Sequence, residues 1–265
     1  MHTAITQPLE LERMPRFQAG HYSVHFAVTE AQIAQAQSLR YSVFYQEHQG
    51  KPTDEMVHLK REVDEWDAVA FHIIVTDQNA NDAVVGTLRL VSNSCLLPNQ
   101  LFYTEKAFNL TKLRAKYARI LELSRYCIDP AGRSGVILML IWKYAMKFII
   151  DNSYQLMLGC ASFPGTDILK HRDILTYLYQ NNLAPDELMP EPIADNAVAI
   201  SGFHKQSADW DHAKKAVPTL LRGYLKLGAK ISDTAIIDPQ FNTVFVCIYV
   251  DANDMLRDSR TLVPR

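Results

Sequence analysis

An apolar run at residues 120–128 is stopped by Pro130 and Gly132, and a longer segment at 134–152, apolar on nearly every side, follows it. This pair limits the fold more than any other feature of the chain. The first run reads as a strand, and a helix that is apolar all round belongs in the interior, so the second is expected to be a central helix. Lys143 and Lys147 interrupt it. It also falls short of the roughly 20 apolar residues that cross a bilayer, so a membrane span is excluded.

Around this pair the periodicities place further elements. A short strand begins at Tyr22, and Thr29 with Gln32 makes a capping-box start for a helix whose buried face carries Ile33, Ala36, Leu39 and Val43. Runs at 70–77 and 84–91, separated by the turn-forming 79–82, predict an antiparallel hairpin. Strands are expected at 154–162 and 243–250, and helices at 168–181 and 219–227. Residues 183–217, with Pro185, Pro190 and Pro192, show no clear element and read as a lid or an insertion. This order predicts a single α/β sandwich with a mixed sheet, spanning 22–258 between an N-terminal tail at 1–21 and a tail at 259–265. Residues 262–265 resemble the remnant of a cleaved purification tag.

Composition narrows the function classes. Hydrophobic residues make up 48% and charged residues 21%, which excludes disorder, collagen and coiled coil. With 27 Lys and Arg against 29 Asp and Glu, the chain has no basic excess for neutralising phosphates, so no nucleic-acid partner is expected. Cys95, Cys127, Cys160 and Cys247 are widely spaced and lie in apolar runs, as reduced thiols of a cytoplasmic protein would. His21 and His25 have no companion ligands nearby, and no metal is expected.

Three constellations stand out. Glu62, Asp64, Glu65 and Asp67 crowd six residues just before a strand, as either a solvated acidic loop or a site for a cationic amine. Arg89, in Gly86-Thr87-Leu88-Arg89, sits inside an apolar strand. Glu122, in Glu122-Leu123-Ser124-Arg125, shares a strand face with Ile120 and Ser124, so this carboxylate needs a partner. If Arg89 lies across from it the two form a structural ion pair; if desolvation prevails Glu122 becomes a general base. Cys160 reads as a nucleophile or a small buried strand residue, and Gly132-Arg133-Ser134-Gly135 as a phosphate cradle or a simple turn. Lys112, Arg114, Lys116 and Arg119 form a basic cluster that is either a solvated face or a contact for an acidic protein.

Taken together, Arg40 with Val43-Phe44, then Glu62, Asp64 and Asp67, then Gly86 and Arg89, then Glu122, Ser124 and Arg125 resemble acyl-homoserine-lactone synthases of the GNAT superfamily in order and spacing. Across 22–250 the chain more closely resembles the ornithine–acyl carrier protein N-acyltransferases, some of whose relatives are labelled hemolysin-like. The blocks that carry this are Leu121-Glu122-Leu123-Ser124-Arg125-Tyr126-Cys127, Gly159-Cys160-Ala161-Ser162-Phe163-Pro164-Gly165, Leu183-Ala184-Pro185, Leu221-Arg222-Gly223-Tyr224 and Phe241-Asn242-Thr243.

The resemblance implies a GNAT-like mixed, mostly antiparallel sheet flanked by helices. It implies transfer of a 3-hydroxyacyl chain from acyl carrier protein to the α-amine of L-ornithine, with no bound cofactor, on the cytoplasmic side and with peripheral contact to the inner membrane. Glu122 would be the base, with Ser124 beside it. Glu62, Asp64 and Asp67 would bind the acceptor's amines, Arg40, Arg89 or Arg125 its carboxylate, and Phe44 would line the acceptor side. Cys127, Arg133, Ser134, Gly135, Cys160 and Ser162 would line the path of the 4'-phosphopantetheine arm. A backbone N–H near Cys127 would serve the oxyanion, and Arg133, Lys170, Arg172 or the basic cluster would meet the acidic carrier protein. Another amino acid or S-adenosylmethionine as acceptor, or a membrane-lytic protein, are the alternatives.

Overall fold

Cap and turn signals set most of the boundaries in the computed structural model, which describes residues 14–133, 135–203 and 210–252. In chain order the elements are β1 (Phe17–Ala19), β2 (Tyr22–Phe26), α1 (Glu30–Tyr41), α2 (Asp54–Leu59), β3 (Phe71–Asp77), β4 (Ala83–Ser92), β5 (Phe108–Asn109), α3 (Thr111–Lys116) and β6 (Ile120–Ile128). They continue with α4 (Gly135–Asp151), β7 (Leu156–Pro164), α5 (Arg172–Asn182), β8 (Glu191–Pro192), β9 (Ala197–Ala199), α6 (Trp210–Ala216), α7 (Thr219–Lys226), β10 (Lys230–Asp238) and β11 (Thr243–Asp251). The capping box at α1 forms as expected: Thr29 Oγ1 accepts from the Gln32 N–H at 3.2 Å and Gln32 Oε1 from the Thr29 N–H at 3.3 Å. Asn81 and Asp82 both take positive φ, near 53° and 56°, closing the β3–β4 hairpin with two left-handed residues.

The described residues divide into two compact units, one within 14–100 and 123–153 and the other within 101–122 and 154–252. In the first, β1 to β4 pair antiparallel in succession, and β4 is followed in the sheet by β6. Helix α4 packs on these strands through Ile137, Leu140, Ile141, Tyr144, Phe148 and Ile149. Phe26 meets Tyr144 and Phe148 edge-on at 5.2 and 5.1 Å between ring centroids. Gly86 lets the helix approach: a Cβ there would lie 2.7 Å from Ile137 Cγ2. The expectation that α4 is buried all round needs correction. One face is core, while Val136, Met139 and Ile150 on the other are 38%, 52% and 52% exposed.

In the second unit, Ile120–Glu122 of β6 pairs parallel with Leu156–Leu158 of β7. Then β7 pairs antiparallel with β11, β11 with β10, and β10 with β9. The sheet is mixed and mostly antiparallel. Within 183–217 the short strands β8 and β9 pair with β5 and β10, so that stretch is anchored to sheet at these points; residues 204–209 lie outside the described residues. Strand β10 escapes the sequence because its register shifts between Ile231 and Ala235, interrupting the alternation. Ser232 Oγ spans that interruption, donating to Thr234 O at 2.7 Å and accepting from the Cys247 N–H at 3.1 Å.

Candidate active site

In the first unit the acidic run and the strand arginines come together. Arg40 leaves the last turn of α1; Glu62, Asp64 and Asp67 come from the segment between α2 and β3; Arg89 comes from β4, and Ser124 and Arg125 from β6. Arg40 Nη2 donates to Asp67 Oδ2 at 2.6 Å and to the Glu62 carbonyl at 2.7 Å. Its Nε lies 2.6 Å from Glu62 Oε2 without a well-aligned N–H, so that contact is mainly Coulombic. Arg89 Nη1 bridges Asp64 and Asp67, 3.0 Å from Asp67 Oδ1, while Arg89 Nε donates to Ser124 Oγ at 3.1 Å. Arg125 closes the set at 2.9 Å from both Glu62 Oε1 and Asp64 Oδ2.

Three carboxylates and three guanidiniums thus balance formally in a buried place. Arg40, Glu62 and Arg89 have no exposed surface, whereas Asp64 and Arg125 keep a small fraction. Burial alone would raise Asp64 and Asp67; Arg89 with Arg125, and Arg40 with Arg89, outweigh it and hold both carboxyls below the usual range. His72 donates from Nε2 to the Asp67 carbonyl at 3.2 Å, and burial, reinforced by Arg40, lowers it to about 4. Arg125 adopts φ of 55° in mid-strand, a left-handed conformation that costs about 1–2 kcal/mol in a non-glycine residue. It is held there by its two ion pairs.

Glu122 belongs to the second unit. Its carboxylate is fully buried, and accepts from the N–H of Tyr103 at 3.1 Å, the N–H of Thr104 at 2.7 Å and the Thr104 hydroxyl at 2.7 Å. The same Thr104 Oγ1 is 3.6 Å from Cys160 Sγ. Glu122 ends the parallel ladder with β7, and beyond the ladder Cys160 and Ala161 become half-buried and Ser162 exposed. On β6, Ser124, Arg125 and Tyr126 are likewise half-buried between buried ends.

The other expected positions are more dispersed. Cys127 is in the core against Leu39 and Val43, with Phe44 packed on that cluster, and burial pushes its thiol up. Phe44 sits in the π-helical turn Ser42–Glu47 that continues α1. Arg133 is 2.6 Å from Glu47, Gly135 opens α4, and Ser134 lies outside the described residues. Lys112 and Arg114 of the basic cluster are engaged by Glu191 and Glu105. Sequence reasoning missed Gln37, which donates to Asp67 at 3.0 Å, as well as His72, Tyr103 and Thr104. The spacing of Thr104 has no periodic signal, and its role depends on a residue eighteen positions away.

Known proteins resemble this chain in sequence. Residues 39–143, which span the arginine–carboxylate network, match the acetyltransferase (GNAT) domain family. An L-ornithine N(alpha)-acyltransferase of Agrobacterium fabrum is 31% identical over 89% of this chain and 83% of its own. Another from Brucella abortus is 33% identical over 86% and 84%. The chain belongs to the L-ornithine N(alpha)-acyltransferase family. It is therefore an acyltransferase, and the family's mixed sheet with flanking helices is the fold described above. A CoA-dependent acyl-homoserine lactone synthase of known structure aligns over 89% of this chain and 85% of its own, at 13% identity and a TM-score of 0.46.

Proposed function

We propose that this acyltransferase moves a 3-hydroxyacyl chain from acyl carrier protein to the α-amine of L-ornithine, yielding an N-acylornithine that enters ornithine lipid synthesis. The near full-length similarity to proteins bearing the ornithine acyltransferase name carries this reading. The acceptor's α-ammonium loses a proton, its nitrogen attacks the thioester carbonyl, and the tetrahedral intermediate collapses with departure of the pantetheine thiolate. Glu122 takes the proton, directly or through water. Support comes from its burial and from the Tyr103 and Thr104 donors that fix its orientation.

A backbone N–H on β6 stabilises the oxyanion, and the left-handed turn at Arg125 reorients the peptides of that strand. The partly accessible members of the network, Ser124, Asp64, Asp67 and Arg125, meet the charged groups of the acceptor. The fully buried Arg40, Glu62 and Arg89 hold them in place, and Phe44 lines the acceptor side. Arg133, just before α4, and Gly135, which opens it, receive the phosphodiester of the donor, and the half-buried Cys160 of β7, with the exposed Ser162 beyond it, receives its arm. The reaction takes place on the cytoplasmic side, in peripheral contact with the inner membrane.

The test is incubation of the protein with 3-hydroxyacyl–acyl carrier protein and single amino acids, read by mass spectrometry. N-acylornithine is the expected product; acylation of a different amine with ornithine untouched overturns the acceptor. Equal use of acyl-CoA, at a rate insensitive to salt, removes the carrier protein.

A further inference from the structure

The outward arc of α4 departs from what a solvated helix shows. From the first turn to Ile150 its half-buried or exposed positions are Val136, Leu138, Met139, Trp142, Met146 and Ile150, with Lys143 and Lys147 along one border and no acidic residue among them. On an ordinary surface helix this arc is polar. Val136, Met139 and Ile150 stand open to solvent, and Trp142 and Met146 are half-buried between them. Asp151, at the C-terminal end, pairs with Lys147 at 2.7 Å, an exposed i,i+4 contact that exchanges readily for another anion. The Lys143 ammonium sits 5.4 Å from the centroid of the Phe17 ring, its stem lying along apolar surface as in a snorkelling lysine.

We propose that this face of α4 is a membrane-docking surface that lies in the interface of an anionic bilayer. Among the described residues no helix is long and apolar enough to cross a membrane, so the mode is interfacial. The apolar stripe enters the acyl boundary, the tryptophan sits at headgroup depth, and the two ammonium groups meet anionic headgroups. A twofold pairing of two copies through this face would oppose like-charged lysines, which disfavours a second copy as the occupant. The inference rests on the proposed function in one respect: a product with a long acyl chain must pass into lipid.

The experiment is sedimentation of the full chain with vesicles of phosphatidylcholine alone or mixed with phosphatidylglycerol, without substrates. Binding to the mixed vesicles is expected, weakened about tenfold or more when Met139→Glu and Ile150→Glu are combined. Lys143→Gln with Lys147→Gln is expected to abolish the preference for the anionic vesicles. Unchanged melting of each variant and unchanged acyl transfer between water-soluble substrates confirm an intact fold. The proposal is overturned if the wild type ignores both vesicles, if the apolar-to-Glu variant binds equally well, or if sedimentation velocity shows a dimer that this variant dissolves. Any of these with N-acylornithine formation intact leaves the proposed function standing. Absence of N-acylornithine with vesicle binding intact overturns that function alone.

Discussion

Two of the buried carboxylate sites are built on opposite principles. In the first unit, Glu62, Asp64 and Asp67 are neutralised by the guanidiniums of Arg40, Arg89 and Arg125. In the second, Glu122 is oriented by two backbone N–H groups and a hydroxyl of the Tyr103–Thr104 turn. Charge matched by charge fixes a local structure, because removing any one member leaves another buried and unbalanced. A carboxylate held by neutral donors can exchange a proton without stranding a cationic partner among them. The proposed function makes the first site a frame and the second the reactive group.

Glu122→Gln breaks the comparison most sharply. It keeps shape and the acceptor for Thr104 but cannot take a proton, so kcat/KM should fall roughly a thousandfold, about 4 kcal/mol in barrier, while the amide NH2 facing the Tyr103 N–H costs about 1–3 kcal/mol of stability without unfolding the chain. Retention of more than about a tenth of wild-type kcat/KM would remove Glu122 as the base. Arg40→Met addresses the other side: losing the cation between Glu62 and Asp67 should cost about 3 kcal/mol or more in urea unfolding. A cost under about 1 kcal/mol would show that the network contributes little to the fold.

Acid sharpens the contrast through His72. Its lowered value, about 4, belongs only to the folded state, so between about pH 6.5 and 4 the unfolded chain binds a proton that the folded one refuses. Stability is therefore lost as pH falls, by about 2 kcal/mol between pH 7 and pH 5. At still lower pH, protonation of Asp64 and Asp67 removes the stability their depressed values confer. Urea melts of the wild type and His72→Gln at the two pH values check this, since the variant should lose the part of the dependence that His72 carries and keep the part due to His25, which burial also lowers. The smallest effect is expected from Thr104→Val, which removes the hydroxyl from Glu122 and keeps the N–H. A fall of about tenfold in kcat, with acceptor KM unchanged and the pH profile displaced, marks a positioning residue; an unchanged profile would mean that the backbone donors suffice.

Much of the framework was legible locally. The capping box at Thr29, the hairpin turn at 79–82 and the strand at 120–128 depend on residues a few positions apart, and all three form. The order of the charged motifs also pointed to the acyltransferase family. Strand β10 was hidden because a bulge erases its alternation. Helix α4 reads as central in the sequence because an outward apolar arc and an inward one look alike in a string of residues.

By itself, the sequence determined which segments become strand and helix, and that arginines and carboxylates would have to be buried on them. Only the tertiary structure decided the pairings. Arg89 is 25 and 22 positions from Asp64 and Asp67, and Arg125 is 63 from Glu62, yet these are the groups that meet. Glu122 is held by a turn that has no periodicity of its own. Local signals act through neighbours three or four residues apart, whereas the partner of a buried charge depends on which distant side chain shares its desolvated space.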